Sequence, residues 1–185
     1  MRIIAGSARG IPLRVPKGEV RPTSDRVREA AFSLLSGLVD GARCLDLFAG
    51  SGALGIEALS RGAESCVFVD RSTASCDTVK TNLHKAKLTD RAKVSCLEAA
   101  LYLRDARGEF DLVFADPPYT KDGRDDLAGA LAMSDDLVRV LAPGATVLLE
   151  TAKGAGKTPH HARLELLDLR QYGDTQLAFY RRADD

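Results

Sequence analysis

From Gly41 onward, short apolar runs recur with helical patterns between them. ARCLDLF, SCVFVD, AKVSCL, FDLVFAD and ATVLLE are strand candidates. They read as nearly continuous apolar stretches, the mark of strands buried on both faces. ALGIEALSR is apolar almost all round, as a helix pressed onto a sheet would be. STASCDTVKTNLHKAKL carries Val79, Leu83 and Ala86 on one face, and LAGALAMSDDLVRVL repeats with Leu127, Leu131, Val138 and Leu141. This alternation predicts βαβ units, hence an α/β fold with a parallel sheet covered on both sides. The chain closes differently. ARLELLDLRQYGDTQLAFYRR holds two strand-like runs around Gly173–Asp174 with no room for a helix between them. An antiparallel hairpin is expected there.

Ahead of Gly41 the pattern is less regular. RIIAG and IPLRV flank a turn from Gly6 to Gly10 and predict a hairpin. RPTSDRVREAAFSLLSGL then reads as a helix, with Pro22 before it and Thr23 or Ser24 as its cap. Its apolar stripe is Val27, Ala30, Ala31, Leu34, Leu35 and Leu38. Arg26 and Arg28 fall in the first turn, the unfavourable end for cations, so a nearby anion is expected. A small extension over 1–40 and a catalytic domain over 41–185 are the expected organisation.

Charge sharpens that division. Residues 1–28 hold Arg2, Arg9, Arg14, Lys17, Arg21, Arg26 and Arg28 against Glu19 and Asp25, seven cations to two acids in a chain of zero net charge. A basic arm on a slightly acidic body suggests a localised polyanion contact. A solvated extension paired with surface acids is the plainer alternative. The 185 residues, 45% hydrophobic and 28% charged, suit one globular domain. With no long apolar span and no leader pattern at MRIIAGSARG, a cytoplasmic protein away from membranes is expected. Cys44, Cys66 and Cys96 lie in apolar runs and read as core residues, and Cys76 forms no CxxC pair with them. Neither a disulfide nor a metal site is expected, and His84, His160 and His161 do not alter that. KGAGKTP, from Lys153 to Pro159, is the most flexible candidate loop.

Two stretches carry the chemistry. LDLFAGSGALG contains GSGALG, Gly50 to Gly55, after a strand and before a helix, with Asp70 twenty residues beyond Gly50. That is the dinucleotide fingerprint. Its glycines let the backbone turn tightly and approach a ligand closely. Asp70 can accept from both ribose hydroxyls. The pattern alone does not choose NAD over S-adenosylmethionine. Asp46, just before the glycines, is poorly placed for a pyrophosphate but could answer a methionine ammonium directly or through water. No second catalytic domain, which a nicotinamide enzyme would need for its substrate, is expected after this unit. Glu98, after the third strand, could receive an adenine amino group, or it could simply favour the start of the next helix. Asp46, Asp70, Glu98 and Asp116 all close successive strand candidates, and open α/β sheets bind ligands at that edge.

The second stretch is ADPPY, Ala115 to Tyr119. Its prolines stop the strand, because they lack the N–H a ladder needs. An exocyclic amino group is a poor nucleophile while its lone pair is delocalised into the base. Acceptors fixed on its N–H groups orient it and help localise that pair. Asp116 offers a carboxylate, the Pro117 carbonyl a rigid second acceptor, and Tyr119 a ring to stack on an extruded base. A turn built for geometry alone is the bland alternative.

Together these stretches resemble class I S-adenosylmethionine-dependent methyltransferases. More closely, MRIIAGSARG, RPTSDRVREAAF, LDLFAGSGALGIEALSRGA, FDLVFADPPY and QYGDTQLAFY, in that order, resemble the RsmD family of bacterial small-subunit rRNA guanine-N2 methyltransferases. RPTSDRVREAAF is the most telling, since generic methyltransferases lack it. The resemblance implies a Rossmann-like, seven-stranded, mostly parallel sheet with its last strand antiparallel. It implies methylation of the N2 amino group of a flipped guanine of 16S rRNA, in an assembled or partly assembled small subunit; a monomer is expected. Carried over, Asp46, Gly50 and Gly52 hold the methionine end of S-adenosylmethionine, Asp70 the ribose, and Glu98 the adenine amino group, with Phe48, Arg71 and Ala99 beside them. Asp116, Pro117 and Tyr119 hold the target. Arg9, Arg14, Lys17, Arg21, Arg26 and Arg28 hold RNA phosphates. The family more often has Asp where Glu98 stands, and ETAKGAGKTPHH departs from its pattern. The rivals are a DNA adenine-N6 or protein glutamine methyltransferase, a nicotinamide oxidoreductase, and a non-catalytic RNA-binding module.

Overall fold

The computed structural model describes residues 1–16, 24–118, 126–153 and 160–183. In chain order the elements are α1 (Asp25–Leu34), β1 (Arg43–Leu47), α2 (Ala53–Ser60), β2 (Ser65–Val69), α3 (Thr73–Ala86), β3 (Ala92–Ser95), α4 (Ala99–Asp105), β4 (Phe110–Ala115), α5 (Leu127–Ala132), α6 (Asp135–Val140), β5 (Leu141–Ala152), β6 (Leu164–Tyr172) and β7 (Thr175–Arg182). The strands form one seven-stranded sheet in the order β3-β2-β1-β4-β5-β7-β6. Neighbours from β3 to β5 pair in parallel, and β7 runs antiparallel to both β5 and β6. The expected seven-stranded sheet and terminal hairpin are both present, with Gly173 at a φ of 61° in the turn.

Each central strand feeds two cores, because successive side chains leave opposite faces. Cys44, Leu112 and Phe114 join the N-terminal segment, α1, α2 and α3 on one face. Leu45, Leu47, Val113 and Ala115 join α4, α5 and α6 on the other. Residues 1–16 are therefore built into the first core, through Ile3, Ala8 and Leu13.

Several expectations need correcting. The N-terminal runs form a single antiparallel bridge, Arg2 to Pro12, rather than full strands. Ser24 caps α1, accepting from the Val27 N–H at 3.3 Å. Leu34 lies on the exposed face of the helix and Leu38 lies past its end, so both leave the stripe, while Phe32 is buried. LAGALAMSDDLVRVL is not one helix. Ser134 starts a second one by accepting from the Leu137 N–H, and Leu141 already belongs to β5. Cys44, Cys66 and Cys76 are buried, but Cys96 is exposed just beyond β3. Positions 154–159, most of the candidate flexible loop, lie outside the described residues. Among the described residues no helix is long and apolar enough to cross a membrane.

Candidate active site at the carboxyl edge of the sheet

Register places the site. Leu47 at the end of β1 pairs with Val69 of β2 on one side and Ala115 of β4 on the other, and Val69 pairs with Ser95 of β3. Four strands thus end level, and the residues after them leave from one rim. The chain runs outward from β1 through β2 to β3, then returns to β4 on β1's other side. That reversal is the switch point where open α/β sheets bind ligands.

The loop after β1 is held open by unusual backbone. Phe48 has a φ of 59°, a conformation costly for a residue with a Cβ, and Gly50 and Gly52 have φ of 55° and 76°. Backbone bonds from Ala49 N to Val69 O and from Gly52 N to Ala49 O curl it over the strand ends. Gly55 is needed for close packing: a Cβ there would lie 2.4 Å from the Phe68 ring. A Cβ on Gly52 would likewise press on Ile56, Val79 and Phe68 at 3.2–3.3 Å, so the buried loop keeps its tight curl through these glycines.

Asp46 departs from the expected position. It lies inside β1, is 2% exposed, and its Oδ2 accepts from the Gly55 N–H at 2.9 Å. It clamps α2 to the strand beneath the loop instead of standing on the rim. Burial pushes its carboxyl pKa up to about 8, with the nearby Asp70 adding to the rise and the Gly55 N–H opposing it.

Asp70 does stand on the rim, directly after β2. Its Oδ2 accepts from the Gly50 N–H and its Oδ1 from the Ser72 N–H, both at 2.8 Å. Each carboxylate oxygen retains further lone-pair capacity for hydroxyl donors. Arg71 is exposed and reaches Glu98 at 3.5 Å. Glu98 is the N-cap residue of α4, three positions past β3, and makes no side-chain capping bond. Its cap position supports the structural alternative, and its side chain, 54% exposed, remains open to a ligand. Ala99 follows, buried, as the first residue of α4. On the other side of β1, Asp116 directly follows β4 and is half-buried, Pro117 is buried and Pro118 exposed. Tyr119 lies outside the described residues.

The basic arm divides. Arg9, Arg14 and Arg26 are exposed. Arg28 is fully buried, which corrects its assignment to RNA phosphate. Its Nη2 donates to the Arg2 carbonyl and, at 2.8 Å, to Asp25 Oδ1. The anion expected near this helix start is therefore Asp25, within the chain. Lys17 and Arg21 lie outside the described residues.

Sequence reasoning missed the polar side chains that dock the arm. Glu57 of α2 is fully buried and accepts from Ile4 N at 2.7 Å, Ala5 N at 3.0 Å and Arg61 Nε at 2.7 Å. Ser60 accepts from Ala8 N at 3.0 Å and donates to the Ala5 carbonyl. Asn82 of α3, 0% exposed, bonds Arg14 and Ser51. The available signal was polar residues set among apolar ones on a helix's buried face, Glu57 and Ser60 on α2 and Ser75 and Asn82 on α3, since such groups are buried only when partnered.

Comparison with known proteins agrees with this architecture. The YlbH protein of Bacillus subtilis is 38% identical over 98% of this chain and 99% of its own length. Ribosomal RNA small subunit methyltransferase D of Haemophilus influenzae is 36% identical over 83% of this chain and 79% of its own. The solved structure of the Escherichia coli protein yhhF superposes with a TM-score of 0.83 at 32% identity, covering 100% of this chain and 99% of that one. The fold is that of class I methyltransferases. A family model described as conserved hypothetical protein 95 matches residues 1–181, and the chain belongs to that family, the RsmD family.

Proposed function

We propose that this chain is an S-adenosylmethionine-dependent methyltransferase of ribosomal RNA, and that it methylates the exocyclic N2 amino group of a guanine in the small subunit. One observation carries the reading: the glycine loop after β1 and the Asp116–Pro117 elbow after β4 leave adjacent strands at the same level. A donor and an acceptor can meet there only if each is seated at its own strand end.

The residues fit the cofactor. The positive-φ turn at Phe48, Gly50 and Gly52 is the tight glycine backbone that a nucleotide-like ligand packs against. Asp70 offers its carboxylate to vicinal hydroxyls, and Glu98 with Ala99 lies beyond β3 where a base would extend. Asp46 acts from beneath, fixing the loop through Gly55. When bound, S-adenosylmethionine supplies a methyl group on a sulfonium. The protein's share is positioning and electrostatics. Asp116 and the Pro117 carbonyl accept from the target amino group, orient its nitrogen and favour a localised lone pair. Tyr119 stacks on the extruded base. Arg9, Arg14 and Arg26, with Lys17 and Arg21, meet the RNA backbone. The names of the relatives support the rRNA substrate, and the guanine assignment rests on the resemblance of the sequence motifs. A cytoplasmic monomer is the matching cellular form.

The test uses small ribosomal subunits from cells lacking this protein, treated with the enzyme and labelled cofactor. Digestion and mass analysis should yield labelled N2-methylguanosine. Label in another nucleoside, or in protein, overturns the guanine assignment, and no label in any component overturns the rRNA reading.

A further inference from the structure

Asn82 occupies a position where an apolar residue would be expected. It lies on the buried face of α3 with Cys76, Val79, Leu83 and Ala86, and it is 0% exposed. Its amide is fully engaged by two segments remote from each other in sequence. Oδ1 accepts from the Arg14 N–H at 2.9 Å, and Nδ2 donates to the Arg14 carbonyl at 3.0 Å. The arm is thus docked on this amide through both backbone groups of one residue, as a strand docks on its neighbour. The same Nδ2 donates to the Ser51 carbonyl at 2.9 Å, between the two positive-φ glycines of the loop.

The other arm contacts differ. Glu57 and Ser60 hold residues 4–8 against α2, and their hydrogen bonds do not touch the glycine loop. Asn82 alone, among the described residues, bonds arm and loop with one side chain. A shift of the arm at Arg14 must reorient this amide or break its bonds, and either change alters the support of Ser51. Flanking glycines make that backbone compliant.

We infer that Asn82 is a positioning residue coupling the basic arm to the cofactor loop, so that RNA held on the arm tightens cofactor binding. By linkage, bound cofactor tightens RNA binding by the same factor. The inference rests on the reading of the arm as the RNA contact and of the loop as the cofactor cradle. It adds a pathway between them: the loop is best formed once substrate is seated, and the arm is best docked once cofactor is bound.

The test measures binding, not turnover. Radiolabelled S-adenosylhomocysteine is titrated by equilibrium dialysis against full-length protein, with and without small subunits from cells lacking the enzyme. Subunit binding is measured separately by sedimentation. In the wild type, subunits should tighten the ligand about fivefold or more. Asn82→Asp keeps the bond from Arg14 N and, holding its proton, can donate only one bond where the amide donates two, so the tightening should diminish while subunit binding persists. Asn82→Ser, which leaves room for a water, carries the same test should the aspartate not fold. Leu137→Ala, in the opposite core, serves as a control of matched melting temperature and should keep the tightening. Undiminished tightening in the Asn82 variants overturns the inference. So does a weaker ligand-alone affinity with an unchanged ratio, the mark of a purely structural residue. Wild-type protein that binds subunits without tightening the ligand overturns the coupling alone. Wild-type protein that binds no subunits overturns the RNA reading itself.

Discussion

The glycine loop and the basic arm lie against the same two helices, yet they are fixed by different kinds of bond. The loop is closed mostly by partners near in sequence. Gly55 N reaches Asp46 nine positions away, and Gly50 N reaches Asp70 twenty away. The arm is docked by buried side chains over fifty positions distant: Glu57 on Ile4 and Ala5, Ser60 on Ala8, Asn82 on Arg14. Chemistry therefore sits on a locally encoded frame, and the proposed substrate contact sits on a long-range one. Variants at the rim should change turnover or cofactor binding and spare RNA. Variants of the exposed arm cations should do the reverse.

The largest effect is expected at Asp116. Asp116→Ala removes the acceptor that orients the target nitrogen, so single-turnover methyl transfer to subunits should fall about a hundredfold or more. Affinity for S-adenosylhomocysteine and for subunits should change little. Retained turnover would mean that the elbow after β4 only terminates a strand. Asp70→Ala comes next. It removes the ribose acceptor and the partner of the Gly50 and Ser72 N–H groups. Cofactor affinity by calorimetry should fall at least about tenfold, the scale of a lost charge-assisted hydrogen bond. Unchanged affinity would remove the ribose from this rim.

A smaller and differently shaped effect tests the arm. Replacing Arg9, Arg14 and Arg26 with Ala leaves the backbone bonds at Arg14 intact. Binding to RNA should weaken uniformly across sequences, and the slope of its logarithm against that of salt concentration should become shallower by roughly 2. Arg28→Ala should instead lower the melting temperature, because that guanidinium is buried against Asp25 and the Arg2 carbonyl. A salt slope that responds to Arg28 and not to the exposed three would invert the assignment.

The contrast between frames also explains what the sequence can reveal. GSGALG and ADPP are legible because turn chemistry fixes glycine and proline at set offsets from a strand end. The sheet is legible because apolar runs and helices alternate. Arg28 reads as a phosphate ligand because charge in a helix's first turn says nothing of which way the helix faces. Its burial follows from α1 packing Phe32 against Phe114, with ring centroids 5.7 Å apart. Glu57 and Asn82 escape a sequence reading because their partners lie in a segment whose pairing no local period announces. Asp46 reads as a rim residue, since a strand's end in sequence does not say whether its last acid faces the rim or the helix below.

The smallest expected effect concerns that residue and bears on the local frame itself. The Asp46 carboxyl is raised from an ordinary 3.8 to about 8, chiefly by burial. In the unfolded chain it ionises near its ordinary value, while burial in the fold holds the proton on up to about 8. A raised folded pKa means that its contribution to stability is complete below about 3.8 and is lost progressively as pH rises towards about 8. Asp46→Asn leaves an oxygen for the Gly55 N–H and removes the ionisation. The melting temperature of the wild type should therefore fall relative to this variant across that window and then level off. The gap should widen steadily with pH across the window rather than hold one value. A gap that stays constant with pH would mean that Asp46 is already ionised in the fold, restoring it as a charged partner for a cationic ligand. Cofactor affinity separates the roles once more: a neutral clamp predicts that Asp46→Asn binds the ligand nearly as the wild type does, whereas an ammonium partner predicts a loss comparable to that of Asp70→Ala.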